Sequence, residues 1–164
     1  MSKLIIRAAE KADVPAVCAL YPAFFSAMAA YEPGYFQPGD ADRVFLEQLV
    51  SGEEGGILLA LKDEALLGFA ALQIQQAPAF PCMVPHRYAY LMDLAVRPDR
   101  QGGGVGTCLL AAARDWTMSQ GLDYLELCVL ERNRRAKQLY ERFGFRTVLH
   151  TMRLEWTKGD DTSL

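Results

Sequence analysis

Gln101-Gly102-Gly103-Gly104-Val105-Gly106 lies between a strand-like segment ending at Val96 and a helix-like segment beginning near Gly104. Glycines at such a junction let the backbone turn tightly and come close to a ligand. The first helix N–H groups lack intrahelical acceptors, and together with the positive end of the helix dipole they attract phosphate. The run therefore reads as a pyrophosphate cradle; a plain flexible glycine turn is the competing reading. A P-loop needs lysine and then serine or threonine after its last glycine, whereas here Gly106 is followed directly by Thr107. A dinucleotide-binding fold sets its glycine loop after the first strand and repeats the unit, and this loop comes too late in the chain for that.

Upstream of the loop, Tyr88 to Val96 reads as a strand, interrupted by Asp93 among Leu91, Met92, Leu94 and Ala95, and stopped by Arg97-Pro98. Downstream, Val105, Cys108, Leu109, Ala112 and Trp116 share one helical face, with Gly121 placed as a left-handed terminator. Tyr124 to Val129 reads as a strand. Asn133 then caps a helix carrying Ala136, Leu139, Tyr140 and Phe143 on one face, ended by Gly144. Phe145 to Leu149 and Met152 to Trp156 are predicted as strands, followed by a polar tail over 158–164 that is expected to fray.

Towards the N-terminus, Leu4 to Ala8 is strand-like, and Asp13 before Val14-Pro15 reads as a helix cap. The helix it starts carries Val17, Leu20, Tyr21, Phe24, Phe25 and Met28, with Pro22 set to kink or split it. Asp40 to Leu49 is predicted as a short helix with Val44, Phe45 and Leu49 inward. Ile57 to Leu61 and Leu66 to Ile74, around Lys62-Asp63-Glu64-Ala65, read as a buried antiparallel hairpin. Pro78, Pro81 and Pro85 make Gln76 to Arg87 a loop.

The 164 residues, 51% of them hydrophobic, suffice for one sizeable core, so a single domain over 1–157 is expected. A net charge of -3 argues against a general nucleic-acid binder, which needs a broad positive field. Cys18, Cys82, Cys108 and Cys128 have no CxxC spacing, so no metal site is expected and reduced thiols are. No apolar run approaches the roughly 20 residues that span a bilayer, which gives the expectation of a cytoplasmic protein without a membrane partner.

Leu94-Ala95-Val96-Arg97-Pro98-Asp99-Arg100-Gln101-Gly102-Gly103-Gly104-Val105-Gly106, taken with Asn133 to Phe145, closely resembles the GNAT superfamily of acyl-CoA-dependent N-acetyltransferases. The Q/R-x-x-G-x-G/A signature is met by Gln101, Gly104 and Gly106. The pattern N-x-x-A-x-x-x-Y-x-x-x-G-F is met by Asn133, Ala136, Tyr140, Gly144 and Phe145. The resemblance implies an α/β GNAT fold, with a central mixed, largely antiparallel sheet of about seven strands flanked by about four helices. Its splayed strands form the acetyl-CoA cleft. It further implies that the pantetheine arm pairs with main chain around Leu94, Ala95 and Val96. By the same resemblance, the amides from Gln101 through Gly102, Gly103, Gly104, Val105 and Gly106 to Thr107 hold the pyrophosphate, while Asn133, Ala136 and Tyr140 reach the coenzyme from the following helix.

The implied reaction is direct acetyl transfer from acetyl-CoA to a primary amine of a small molecule. A peptide or protein amino group is the alternative acceptor, and a noncatalytic acyl-CoA-binding regulatory module is the alternative class. Tyr140 is the implied proton donor to the departing thiolate, against a core aromatic with a satisfied hydroxyl. A backbone N–H near Val96 is the implied oxyanion donor. Because an alkyl amine is mostly protonated at neutral pH, a base must act. Asp93 is the leading residue for it, against a structural aspartate facing the surface. Some polyamine and small-amine acetyltransferases of this superfamily carry an acidic residue just before the corresponding aspartate, where Met92 stands here. His86, Glu32 and the helix cations Arg134, Arg135 and Lys137 are secondary candidates for base, acceptor and adenosine-phosphate contacts. A homodimer is one assembly open to the superfamily.

Overall fold

The computed structural model describes residues 2–157. Five strands, β1 (Ile5–Ala8), β2 (Gly55–Lys62), β3 (Ala65–Gln76), β4 (Arg87–Val96) and β5 (Leu125–Leu127), form one sheet in that spatial order. The first four pair antiparallel, and β4 pairs parallel with β5. The helices are α1 (Val14–Cys18), α2 (Tyr21–Tyr31), α3 (Arg43–Ser51), α4 (Val105–Ser119) and α5 (Arg134–Phe143).

The continuous apolar runs of β2 and β3 have a physical reason: both faces of the sheet are covered. On one face Ile57, Leu59, Phe69, Ala71 and Ala95 pack with Val14, Val17, Tyr21, Leu46 and Leu49 from α1, α2 and α3. On the other, Leu58, Ala60, Ala70, Leu72 and Leu91 pack with Val105, Leu109, Leu110 and Ala113 of α4, joined by Leu139, Tyr140 and Phe143 of α5. Phe69 is fully buried at the centre, and truncating a side chain of that kind to alanine costs about 3–5 kcal/mol. The β2–β3 hairpin closes through Asp63 and Glu64, both at positive φ, as a two-residue turn that matches strand twist.

Several expectations are corrected. The sheet has five strands among the described residues, where about seven were expected, and five α-helices stand where about four were. The missing strands are Phe145 to Leu149 and Met152 to Trp156, neither of which pairs with β5. Arg153 instead lies 3.6 Å from Glu32 and over the Tyr35 ring, so this segment is held towards the end of α2 and its apolar side chains stay exposed. β5 is shorter than Tyr124 to Val129. Pro22 splits the first helix rather than kinking it, entering the first turn of α2, and the two pieces meet at 45°. Asp13 stands at the N-cap of α1 as expected, but its side chain makes no cap bond; the carboxylate is taken by the Arg7 guanidinium at 2.7 and 2.9 Å and by the Glu10 N–H. α3 starts at Arg43 rather than Asp40, capped by Asp42 through the Phe45 N–H, which turns Leu46 and Leu49 inward and leaves Val44 exposed. The tail 158–164 lies outside the described residues.

Candidate active site

The parallel pairing of β4 with β5 runs from Ala89 opposite Leu125 to Leu91 opposite Leu127 and ends there, while β4 continues to Val96. Met92 is the reason the strands part. Ala71 faces Asp93 and Leu72 faces Leu91, so Met92 is an extra residue in β4, a bulge that bends the strand at the last paired position. Beyond it the hydrogen-bonding alternation is fixed from the β3 side, because the Arg97 N–H donates to Leu67 O. The N–H and C=O groups of Leu94 and Val96 therefore point away from β3, into the gap. Their side chains pack towards α4 and α5, and Ala95 packs on the opposite face.

Gly104 is the N-cap of α4 at φ 83, with no side-chain cap, and a Cβ there would enter open space. The first intrahelical bond is Cys108 N–H to Gly104 O, so the N–H groups of Val105, Gly106 and Thr107 precede the helix ladder. Gly106 is needed for a different reason: its Cβ would lie 3.2 Å from Leu139 Cδ2, where α4 crosses α5. Gln101 bridges the loop, donating from Nε2 to Val96 O at 3.2 Å and accepting from Arg135 Nη1 at 2.9 Å. Gly102, also at positive φ, sits beside Arg135, and Gly103 is exposed. Open amides, a positive helix end and an adjoining guanidinium fit an anionic pyrophosphate.

Asp93 is half-buried on the α1–α2 side of the gap, and Tyr21 donates its hydroxyl to Asp93 Oδ2 at 2.7 Å. Burial pushes the Asp93 carboxyl above the usual carboxylate range, and the Tyr21 hydrogen bond partly opposes that. Tyr140 reaches the gap from α5. Its phenol is pushed up to about 12, first by burial and then by the Asp93 charge, which places the two groups within electrostatic reach of each other. Tyr90, also pushed up by burial, feels Cys128 and Asp93. Asn133 Oδ1 accepts from the Ala136 N–H at 3.2 Å, so both residues spend a polar group on capping α5, and the Asn133 amide NH2 is what remains for a ligand.

The secondary candidates lie elsewhere or are engaged. His86 stands before the paired end of β4, with Nε2 2.6 Å from Tyr124 Oη and Nδ1 2.7 Å from Val84 O. Glu32 faces Arg153, Lys137 is bonded to Glu131, and Arg134 is exposed. Two surface clefts, of about 310 and 500 Å³, are lined by Lys62 and Arg100 and by Glu54, Arg87 and Trp116 respectively, and neither contains Asp93 or Tyr140. Tyr90 and Tyr140 lie instead within electrostatic reach of Asp93, beside the β4–β5 gap. Among the described residues no group of three or more His, Cys, Asp or Glu side chains is placed to hold a metal, and no single helix is long and apolar enough to cross a membrane. The Met92 bulge, the Tyr21 bond to Asp93 and the Arg135 bond to Gln101 were not visible in the sequence reading. A tyrosine in a stripe beside Phe24 and Phe25 was the one available signal.

The chain belongs to the acetyltransferase (GNAT) family, whose model matches residues 18–145. It is 31% identical over 142 residues to the uncharacterized N-acetyltransferase YhfO of Bacillus subtilis (strain 168), covering 85% of this chain and 88% of that one. With mycothiol acetyltransferase of Acidimicrobium ferrooxidans it shares 34% identity over 124 residues, covering 72% of this chain but 37% of that protein's length. Among solved structures, a mutant of the BH1408 protein from Bacillus halodurans superposes with a TM-score of 0.87 at 27% identity, over 93% of this chain and 99% of that one. The protein is thus a GNAT acetyltransferase with the mixed α/β fold of its structural neighbours.

Proposed function

We propose that residues 1–157 act as one catalytic domain that transfers an acetyl group from acetyl-CoA directly to a primary amine of a small molecule. The observation that carries this reading is the nearness of the glycine-capped α4 N-terminus, the main chain of Leu94 and the N–H of Val96, and the side chains of Asp93 and Tyr140 to one gap. The coenzyme supplies an activated thioester carbonyl. Amides of Val105, Gly106 and Thr107 hold its pyrophosphate, helped by Gln101 and Arg135, and the Asn133 NH2 and the main chain of Leu94 and Val96 align its arm.

Asp93 accepts the proton that the ammonium loses before attack, the nitrogen of the tetrahedral adduct gives its second proton to solvent as the carbon–sulfur bond breaks, and the Val96 N–H offers a hydrogen bond to the carbonyl oxygen as negative charge develops. Tyr140 is a neutral phenol at physiological pH and donates to the departing sulfur. Its phenol, raised first by burial and then by the Asp93 charge, is a weaker acid than a thiol, so Tyr140 acts as a hydrogen-bond donor to the sulfur and solvent delivers the final proton.

A small acceptor is supported by the mycothiol acetyltransferase relative, although this chain spans 37% of that protein. A cytoplasmic location is supported by four unpaired thiols at Cys18, Cys82, Cys108 and Cys128. Among the described residues no strand pairs with the outer edge of β5, and Val148, Leu149, Met152, Leu154 and Trp156 are exposed, which supports a homodimer. The test is thiol release over a panel of amines, amino acids, polyamines, aminoglycosides and peptides, with acetyl-CoA binding measured alongside. Release with peptides alone would move the acceptor class. Saturable binding without any acceptor-dependent release would replace the enzyme by a regulatory acyl-CoA-binding module.

A further inference from the structure

The Tyr21 ring is held on several sides. It is 3% exposed, packs edge-on to Phe24 at 5.9 Å, and meets Phe25 and Phe69 at 5.1 and 5.0 Å between centroids. Its backbone is fixed too, because Pro22 restarts the helix one residue later and sets Tyr21 as the first residue of α2. A buried tyrosine so constrained has few directions for its hydroxyl, and the one taken is towards Asp93 Oδ2 at 2.7 Å, across 72 residues of sequence. Among aromatic residues that otherwise serve as apolar filling, a buried hydroxyl adds nothing to packing that phenylalanine would not supply.

We infer that Tyr21 is a positioning residue for the reaction: its hydroxyl holds Oδ2 of Asp93, fixes the carboxylate rotamer beside the β4–β5 gap, and leaves Oδ1 to take the proton of the amine. The inference rests on Asp93 acting as the base. Other groups facing Asp93 do not duplicate the effect. Tyr140 from α5 and Tyr90 from β4 feel its charge, Glu126 and Cys128 on the β5 side act on Tyr90, and Cys18 at the end of α1 acts on Tyr21. Tyr21 is the group that both bonds the carboxylate and favours its ionised form against burial.

Tyr21→Phe removes the donor and keeps the ring, so the aromatic packing survives. The acid limb of kcat/KM is expected to move to higher pH by roughly one to two units, in line with the loss of a hydrogen bond to a charged acceptor, while the acetyl-CoA Kd stays within about twofold. The carboxyl carbon resonance of Asp93, assigned with Asp93→Asn, is followed by NMR across the same pH range and needs no turnover. A parallel upward shift in that titration is the expected result. An unmoved Asp93 titration, with the melting temperature lowered or not, would overturn the inference and leave the acetyltransferase reading standing. If the wild-type protein shows no acceptor-dependent turnover, that reading fails instead. A moved titration with an unmoved kinetic limb would separate Asp93 from the chemistry and overturn the positioning role.

Discussion

Tyr140, packed on the α4–α5 face of the sheet, and Asp93, bonded to Tyr21 on the α1–α2 face, have different duties in the proposed reaction. Tyr140→Phe keeps the ring against Phe145 but removes the donor to the departing sulfur, so kcat is expected to fall about 100-fold with acetyl-CoA affinity nearly unchanged, as steady-state kinetics and calorimetry would show. An equal loss in affinity would place the hydroxyl in binding. For Asp93 the sign follows from its function as a carboxylate. Because burial raises its pKa, activity is expected to rise with pH through a midpoint above the ordinary carboxylate range, and Asp93→Asn should abolish that limb in a pH–rate profile. Tyr140 and Asn133 are proposed from the motif they share and Asp93 from its intrusion into an apolar strand, so these candidates could be named from the sequence. Tyr21 was legible only as an aromatic in a stripe, since nothing in a single sequence connects it to a residue in another element.

Among the elements, the strand–glycine loop–helix order from β4 to α4 could be read directly because punctuation and periodicity agree there. Gly104→Ala is expected to destabilise by about 1 kcal/mol through its positive φ while placing a methyl group at the proposed pyrophosphate site, so affinity for acetyl-CoA should fall further than stability does. Gly106→Val pushes against Leu139 where α4 meets α5 and should cost about 1–3 kcal/mol in chemical denaturation. At the β1–α1 junction, Arg7 holds the Asp13 carboxyl down from 3.8 to about 2. Its contribution is present above the unfolded value and is lost as pH falls through the folded one. The melting-temperature gap between wild type and Asp13→Asn should therefore close between about pH 4 and pH 2. The terminal segments form no strands although the outer edge of β5 is unpaired among the described residues, because apolar alternation states what a segment can bury and not which neighbours hold it; Arg153 follows Glu32 and Tyr35 instead of β5.

At the scale of the molecule, two buried layers hold a sheet in which the Met92 bulge falls where the β4–β5 pairing ends, and the proposed reactive groups lie beside it. Broad architecture was accessible from pattern and motif, and the resemblance implied splayed strands; the Met92 bulge was not accessible, because a bulge is a property of register between strands and β3 had to be paired with β4 to expose it. A ligand bound across the β4–β5 gap should stabilise the whole fold. At 100 times its Kd, acetyl-CoA is expected to add about 2.7 kcal/mol, visible as a raised melting temperature. The most direct test is the initial rate of thiol release from acetyl-CoA as amine concentration is varied with purified wild-type protein. Saturable release that depends on the amine and yields one N-acetylated product is the expected result. Tight acetyl-CoA binding with release no faster than without an acceptor, across all amine classes, would contradict the account.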